Sequence, residues 1–161
     1  AVAYLKQSIY GLGITDIGIN SGRNITGGGS ETSYTTNTSQ STTGNITGVY
    51  DMSGGAYEYV MGNYNKTAGS SGLTVSTIPA EHLDIYSGTS VAASHLGDAL
   101  GETAGWYGDI ASFVGSPSTW FNRGGYNFMN LDHIGIFNSY SSNGKGDNLY
   151  GFRVVLSVTG T

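Results

Sequence analysis

Cysteine is absent from the 161 residues, and its absence excludes disulfide scaffolds, cysteine-ligated metal centres and thiol catalysis. Charge is also scarce, because Asp, Glu, Lys and Arg make up only 11% of the chain, against roughly 25% in a typical soluble domain. The charges sum to −5, so there is no basic excess for binding a nucleic-acid backbone or an anionic membrane. No run of about 18 apolar residues occurs, so the sequence predicts no membrane-spanning segment.

Glycine, hydroxyl and amide residues take the place of the missing charges. Glycine accounts for 27 of the 161 residues, and residues 21–48 are almost entirely Gly, Ser, Thr and Asn. We predict that residues 21–48 form a long loop excursion within a single domain that covers residues 1–161. The chain also has 12 Tyr and 2 Trp, which favours a packed fold over disorder. A surface of this composition predicts an extracellular or cell-surface location.

Alternation of apolar and polar residues predicts strands at 57–61, 134–137 and 152–158. Residues 1–10 predict a short helix, because their apolar residues recur at spacings of three and four. Residues 80–113 predict at most one further short helix, since glycines interrupt any longer one. The predicted fold class is α+β, with short helices, a small twisted antiparallel sheet and much irregular loop.

Three segments carry a family resemblance. They are residues 48–60 (GVYDMSGGAYEYV), 120–125 (WFNRGG) and 150–156 (YGFRVVL). In this order they resemble the formylglycine-generating-enzyme-like (sulfatase-modifying factor) superfamily, a branch of the C-type lectin fold. The resemblance implies a compact C-type-lectin-like domain.

The arginines of these motifs suggest a structural role. Arg123 and Arg153 are two of only three arginines in the chain, and a planar guanidinium can satisfy several backbone carbonyls of a loop-rich fold. Asp51 and Glu58 are their natural acidic partners. We therefore interpret these four residues as an internal polar scaffold, and we expect Gly124 and Gly125, after Arg123, to permit a positive φ or a close backbone approach.

Enzyme chemistry of the resembled family has little support in these residues. Its oxidase holds copper with cysteines, which are absent here, and its iron-dependent relatives use clustered histidines, whereas His82, His95 and His133 are far apart in sequence. We predict a non-enzymatic domain with no catalytic residue, no metal and no cofactor. The family also binds calcium beside the first motif, but Gly55 replaces the usual Asn ligand, so at most a weak residual calcium site near Glu58 is expected.

The segment 123–153 is the predicted ligand-binding region. Tyr and Asn dominate it, with Ser and Gly between them, and this is the chemistry of antibody paratopes. It resembles the variable segment of proteins diversified by diversity-generating retroelements. The candidate ligand-binding residues are Tyr126, Asn127, Phe128, Asn130, Leu131, Asp132, His133, Asn138, Ser139, Tyr140, Asn143, Asp147, Asn148 and Tyr150.

The sequence thus predicts an extracellular recognition or adhesion domain that binds an unknown protein or glycan on another surface. The chain also resembles the C-terminal domains of pilin-like secreted proteins of gut Firmicutes, which implies display on a pilus-like structure, and a phage tip is another setting. One alternative is a structural pilus, pseudopilus or surface subunit whose tyrosine-rich face packs against its neighbours. A second alternative is a metal-dependent oxidoreductase of the same superfamily. The ligand and the oligomeric state stay open.

Overall fold

The computed structural model describes residues 56–124 and 137–153 continuously, together with residues 33, 35–38, 41, 45–48, 133 and 135. The described residues contain five strands, β1 (Tyr57–Tyr64), β2 (Asp84–Tyr86), β3 (Trp120–Arg123), β4 (Ser139–Ser142) and β5 (Tyr150–Gly151). The helical elements in the same part of the chain are four 3-10 turns, Val75–Thr77, Ala80–His82, Val91–Ala93 and Trp106–Gly108. Within these described ranges, no helix has the length and apolarity to cross a bilayer.

The five strands form one mixed sheet in the order β2-β1-β3-β4, with β5 also paired to β1. β1 is parallel to β2 and to β5, whereas β3 is antiparallel to both β1 and β4. The predicted α+β class is confirmed at this level, but the prediction of an antiparallel sheet is wrong. Parallel pairing requires a crossover connection, which the long irregular segment between β1 and β2 supplies here.

The predicted local structure is only partly confirmed. The strand predicted at 57–61 is present and extends to Tyr64. The strand predicted at 134–137 is displaced, because residues 135 and 137 lie in a bend and a turn and β4 begins at Ser139. Likewise, Phe152 and Arg153 follow β5 without regular structure. The rest of the predicted strand 152–158, the helix 1–10 and most of the loop 21–48 lie outside the described residues.

The polar segment β4 forms a strand because it pairs with β3. Its sequence SYSS has no alternating apolar pattern, yet its residues pair in register with all four residues of β3. Strand formation there depends on cross-strand packing and the hydrogen-bond ladder more than on local propensity. In the same way, residues 80–113 form three separate 3-10 turns instead of one helix, since Gly97, Gly105 and Gly108 adopt positive φ angles that an α-helix does not allow.

Direct strand pairing divides the side chains between two faces of the sheet. Tyr57 is opposite Tyr150, while Asn122 is opposite both Tyr59 and Tyr140. We call this side the tyrosine face; it comprises Tyr57, Tyr59, Trp120, Asn122, Tyr140 and Tyr150. The other side, the arginine face, comprises Glu58, Val60, Tyr86, Phe121 and Arg123.

Each face is covered by its own hydrophobic cluster. On the arginine face, Tyr86, Leu100, Val114 and Phe121 are buried, and the rings of Tyr86 and Phe121 meet edge to face at 5.3 Å. On the tyrosine face, Trp120 packs against the buried Val75 and Leu83. The Trp120 indole N–H donates a hydrogen bond to the Ala68 carbonyl at 2.9 Å, which satisfies its buried polar atom. The sheet therefore carries a packed layer on both sides.

Candidate functional site

Four tyrosines stack in a continuous series across the tyrosine face. The ring of Tyr57 is parallel to that of Tyr140, with centroids 5.8 Å apart, and to that of Tyr150 at 5.9 Å. Tyr150 also contacts Tyr59 at 5.0 Å. Offset stacking of this kind adds about 0.5–1.5 kcal/mol per pair beyond area burial. Tyr140 and Tyr150 are therefore half-buried members of a rigid aromatic platform.

The loop of residues 143–148 joins β4 to β5 beside this platform. Asn143, Lys145, Asp147 and Asn148 are exposed. The loop is shaped by its own side chains, because Asn143 Oδ1 accepts the Lys145 backbone N–H at 3.0 Å and Asp147 Oδ1 accepts that of Leu149 at 3.2 Å. These contacts hold the polar side chains on a defined surface.

Gly144 anchors this loop to the core. Its φ is +86°, and a Cβ added there would lie 2.5 Å from Trp120 Cδ1. Only glycine allows the backbone to approach the indole this closely in the left-handed region. The loop is consequently positioned by contact with the buried side of the sheet as well as by its turns.

An open pocket of about 360 Å³ lies next to Gly144. Its lining includes Met61, Leu73 and Phe152, whose exposed fractions are 47%, 49% and 75%. Tyr59 and Trp120 close it from the sheet side. Exposed apolar side chains grouped around a concavity are a recognised mark of binding surfaces. The polar loop and this pocket together form the first candidate site, which we call the loop–pocket site.

The structure separates the predicted ligand-binding residues into groups. Three of them are interior: Asn138 is fully buried, Ser139 is 5% exposed and His133 is 9% exposed. Ser139 belongs to strand β4, and its backbone N–H donates a hydrogen bond to the Ile110 carbonyl at 3.1 Å. These three candidates therefore lie in the interior of the domain and not on its surface.

The other candidates are distributed as follows. Exposed on the loop are Asn143, Asp147 and Asn148, and half-buried in the platform are Tyr140 and Tyr150. Six candidates lie outside the described residues, namely Tyr126, Asn127, Phe128, Asn130, Leu131 and Asp132. The sequence analysis did not identify Met61 and Leu73, which complete the pocket from a strand and a connecting loop far earlier in the chain.

Two residues of the predicted polar scaffold, Glu58 and Arg153, form an ion pair in the described part of the chain. Arg153 Nε donates to Glu58 Oε1 in an ion pair, which joins the end of β5 to β1. Arg123 Nη1 donates to the Ala99 carbonyl at 3.3 Å, so one guanidinium supports an irregular loop as expected. Gly124 adopts a φ of +75°, which confirms the conformation expected after Arg123. Asp51, the other predicted partner, lies outside the described residues.

A second cluster of polar side chains lies on the arginine face. His95 Nδ1 is 2.7 Å from Asp84 Oδ1, and the His95 backbone N–H donates to Asp98 Oδ2 at 2.6 Å. The Tyr86 hydroxyl lies 2.8 Å from Asp84 Oδ2 and 3.0 Å from Asp98 Oδ2. The Leu100 backbone N–H donates to Asp98 Oδ1 at 2.7 Å. Two carboxylates and an imidazole are thus gathered around one buried hydroxyl.

The environment of this cluster changes the pKa values of its members. Burial raises the pKa of the Tyr86 hydroxyl far above its ordinary value, and hydrogen bonds to Asp84 and Asp98 raise it further. For Asp98, burial acts to raise the pKa, but the hydrogen bonds from Leu100, His95 and Tyr86 outweigh it and hold the pKa below its ordinary value. Tyr86 is therefore a neutral donor and Asp98 an ionised acceptor at neutral pH.

Arg123 shares a pocket of about 270 Å³ with these carboxylates. Gly62 and Phe121 belong to the same lining. Burial lowers the pKa of the Arg123 guanidinium, while the negative charge of Asp98 acts in the opposite direction. Arginine stays charged in proteins, so the pocket holds one fixed positive and two negative groups.

This second cluster was not predicted from the sequence. His95 was interpreted as an isolated histidine, and Asp84 and Asp98 were not singled out. The spacing His95–Leu96–Gly97–Asp98 is a weak local signal, but Asp84 meets these residues because the segment after β2 folds back towards it. Sequence distance alone could not reveal that convergence.

No family model, curated protein or solved structure matches the chain. The molecule is therefore defined by its own architecture. It is a small α+β domain with a mixed five-stranded sheet, short 3-10 turns and irregular loops, and it carries a distinct candidate site on each face of the sheet.

Proposed function

We propose that this chain is a non-enzymatic, extracellular recognition domain that binds a protein or glycan ligand through the loop–pocket site. The observation that carries the proposal is the juxtaposition of exposed amide and charged side chains at 143–148 with an apolar pocket, joined at Gly144. A binding surface with an apolar centre and a polar margin is the usual anatomy of a protein interface.

Rigidity supports the same proposal. The loop is fixed by its Asn143 and Asp147 turns, by the approach of Gly144 to Trp120 and by the stacking of Tyr150. A surface that is already ordered loses little conformational entropy on binding. Affinity would come from Phe152 and Leu73 as apolar anchors and from hydrogen bonds of the amides, with little contribution from net charge.

The arrangement of the three motifs supports a C-type-lectin-like, formylglycine-generating-enzyme-like fold as part of the proposal. Their described portions lie in β1, β3 and β5, and both β3 and β5 pair directly with β1. Segments that are widely separated in sequence thus meet in one sheet, as expected of motifs that define a common scaffold. On this scaffold, residues 123–153 would be the segment that varies between related proteins.

Binding can be tested with fluorescently labelled domain on a glycan array and on intact bacterial and epithelial cells. Phe152→Ser and Asn148→Ala are both exposed changes, and each is expected to weaken binding about tenfold or more, as hot-spot truncations do. Leu96→Ser is the matched control, because Leu96 is 99% exposed and does not line the pocket around Gly144. Binding that survives Phe152→Ser and Asn148→Ala but is lost on Leu96→Ser would contradict the proposed site.

A structural role as a pilus, pseudopilus or surface subunit is the second candidate, and the exposed Met61, Leu73 and Phe152 favour it. In that case the apolar pocket would be covered by another copy of the chain. Sedimentation at micromolar concentration would then detect association that Phe152→Ser abolishes.

Diversification by a retroelement is tested in the neighbouring DNA, where a template repeat differing at adenines should lie beside a reverse-transcriptase gene.

A further inference from the structure

We propose that Asp84, His95 and Asp98, on the arginine face, form a binding site for a divalent transition-metal ion of the Zn²⁺ type. Each of the three residues offers one ligand atom, and these atoms all lie within 4.8 Å of one another. One imidazole nitrogen and two carboxylate oxygens are a donor set that suits Zn²⁺ and its neighbours Co²⁺ and Ni²⁺.

The ligand atoms need only a small movement to enclose an ion. Bonds of about 2.0–2.2 Å to Zn²⁺ place two donors of one ion roughly 3.3–4.4 Å apart. The 2.7 Å between Asp84 Oδ1 and His95 Nδ1 must therefore lengthen to admit the ion. Asp84 and His95 have side chains that are 45% and 49% exposed, so a small adjustment of either side chain does not require the core to move. Binding would replace the present hydrogen bond between Asp84 Oδ1 and His95 Nδ1 with two bonds to the metal.

The surrounding groups hold these ligands in place. The Tyr86 hydroxyl lies within hydrogen-bond distance of Asp98 Oδ2, and the Leu100 backbone N–H donates to Asp98 Oδ1. The Tyr86 hydroxyl also reaches Asp84 Oδ2, and its ring stacks on the imidazole of His95 with centroids 4.7 Å apart. Hydrogen bonds to ligating carboxylates and fixed ring orientations are the outer contacts that metal sites commonly use.

The local charge also favours the binding of a cation, with moderate affinity. Asp84 and Asp98 bring two formal negative charges to the cluster, and Arg123 brings one positive charge to the adjoining pocket. The carboxylates attract a divalent ion, whereas Arg123 opposes it and lowers the expected affinity. The adjoining pocket of about 270 Å³ leaves room for water or an exchangeable ligand on the ion.

The test uses untagged full-length protein that has been treated with EDTA and dialysed, because a histidine tag would bind the same ions. Isothermal titration with Zn²⁺ is expected to give one site per chain, and Co²⁺ is expected to give a visible d–d absorption. His95→Phe preserves the ring stack on Tyr86 and removes the nitrogen ligand, so a loss of affinity of at least about tenfold is expected. Asp84→Asn, at a half-exposed position, provides a second variant expected to keep the fold.

His82→Phe is the matched control, because His82 is exposed on the turn Ala80–His82 and is not a member of the cluster. It should bind Zn²⁺ as the parent protein does. The proposal is overturned if the parent protein binds no Zn²⁺, or if binding is unchanged in both His95→Phe and Asp84→Asn. Binding that is lost in His82→Phe and retained in His95→Phe would overturn it as well. None of these measurements depends on the loop–pocket site, so the two proposals can fail separately.

Discussion

The Tyr86 hydroxyl provides a direct test of the polar cluster, because Tyr86→Phe removes one oxygen and retains the ring that packs on Phe121. The hydroxyl lies within hydrogen-bond distance of Asp84 Oδ2, at 2.8 Å, and of Asp98 Oδ2, at 3.0 Å. A hydrogen bond to a charged group contributes about 1.5–3 kcal/mol. After this substitution, Asp84 can be hydrated by solvent and Asp98 keeps two backbone N–H donors. The loss of stability should therefore lie at the lower end of this range. We expect the free energy of unfolding to fall by about 1.5 kcal/mol at pH 8.

The same substitution predicts a specific pH dependence. Burial raises the pKa of Tyr86 above its ordinary value of 10.0, so the stability contributed by its neutral form is complete below pH 10. That contribution is lost as the pH rises towards the pKa of Tyr86 in the folded protein, because this tyrosine ionises at a lower pH in the unfolded chain. For an unfolded pKa of 10, the loss is about 1.4 kcal/mol at pH 11. The stability difference between the parent and Tyr86→Phe should therefore almost vanish at pH 11.

Urea unfolding followed by far-ultraviolet circular dichroism at pH 8, 10 and 11 measures this difference. Comparison of the two proteins cancels the ionisation of the other tyrosines. A difference that stays constant from pH 8 to pH 11 would show that Tyr86 ionises as readily in the folded protein as in the unfolded chain. The description of the Tyr86 hydroxyl as a buried donor beside two carboxylates would then be refuted.

Two further substitutions, each compared with a control substitution, test the packing that supports the sites. Phe121→Ala removes a fully buried ring and should destabilise the domain by about 3–5 kcal/mol in urea, whereas Phe152→Ala, at a side chain 75% exposed, should change stability by less than about 0.5 kcal/mol. Gly144→Ala combines a φ of +86° with a Cβ 2.5 Å from the Trp120 ring, so thermal unfolding should show a loss of about 2–4 kcal/mol. Gly146→Ala is its control, since an added Cβ there meets nothing within 4 Å, and equal losses at both glycines would contradict the anchoring role of Gly144.

Local sequence patterns were sufficient to predict several features. The alternation at 57–61 predicted β1, because a strand with side chains on two faces imposes a period of two. The scarcity of charge made each arginine conspicuous, and Glu58 was predicted as one of two acidic partners for Arg123 and Arg153, of which it pairs with Arg153. The glycine after Arg123 indicated a positive φ, since glycine is the residue that adopts it at little cost.

Other features depended on contacts between distant segments. The polar residues of β4 become a strand through their register with β3, and the same pairing places Ser139 in the interior. Asp84 lies on β2, and the segment after β2 folds back so that His95 and Asp98 come close to it, which no local period records. The amino-acid sequence by itself determined which residues could form strands, turns and charged pairs, since these follow from backbone and side-chain chemistry. Only the tertiary structure decided which of them are buried and which meet, because burial and convergence depend on how strands distant in sequence pair.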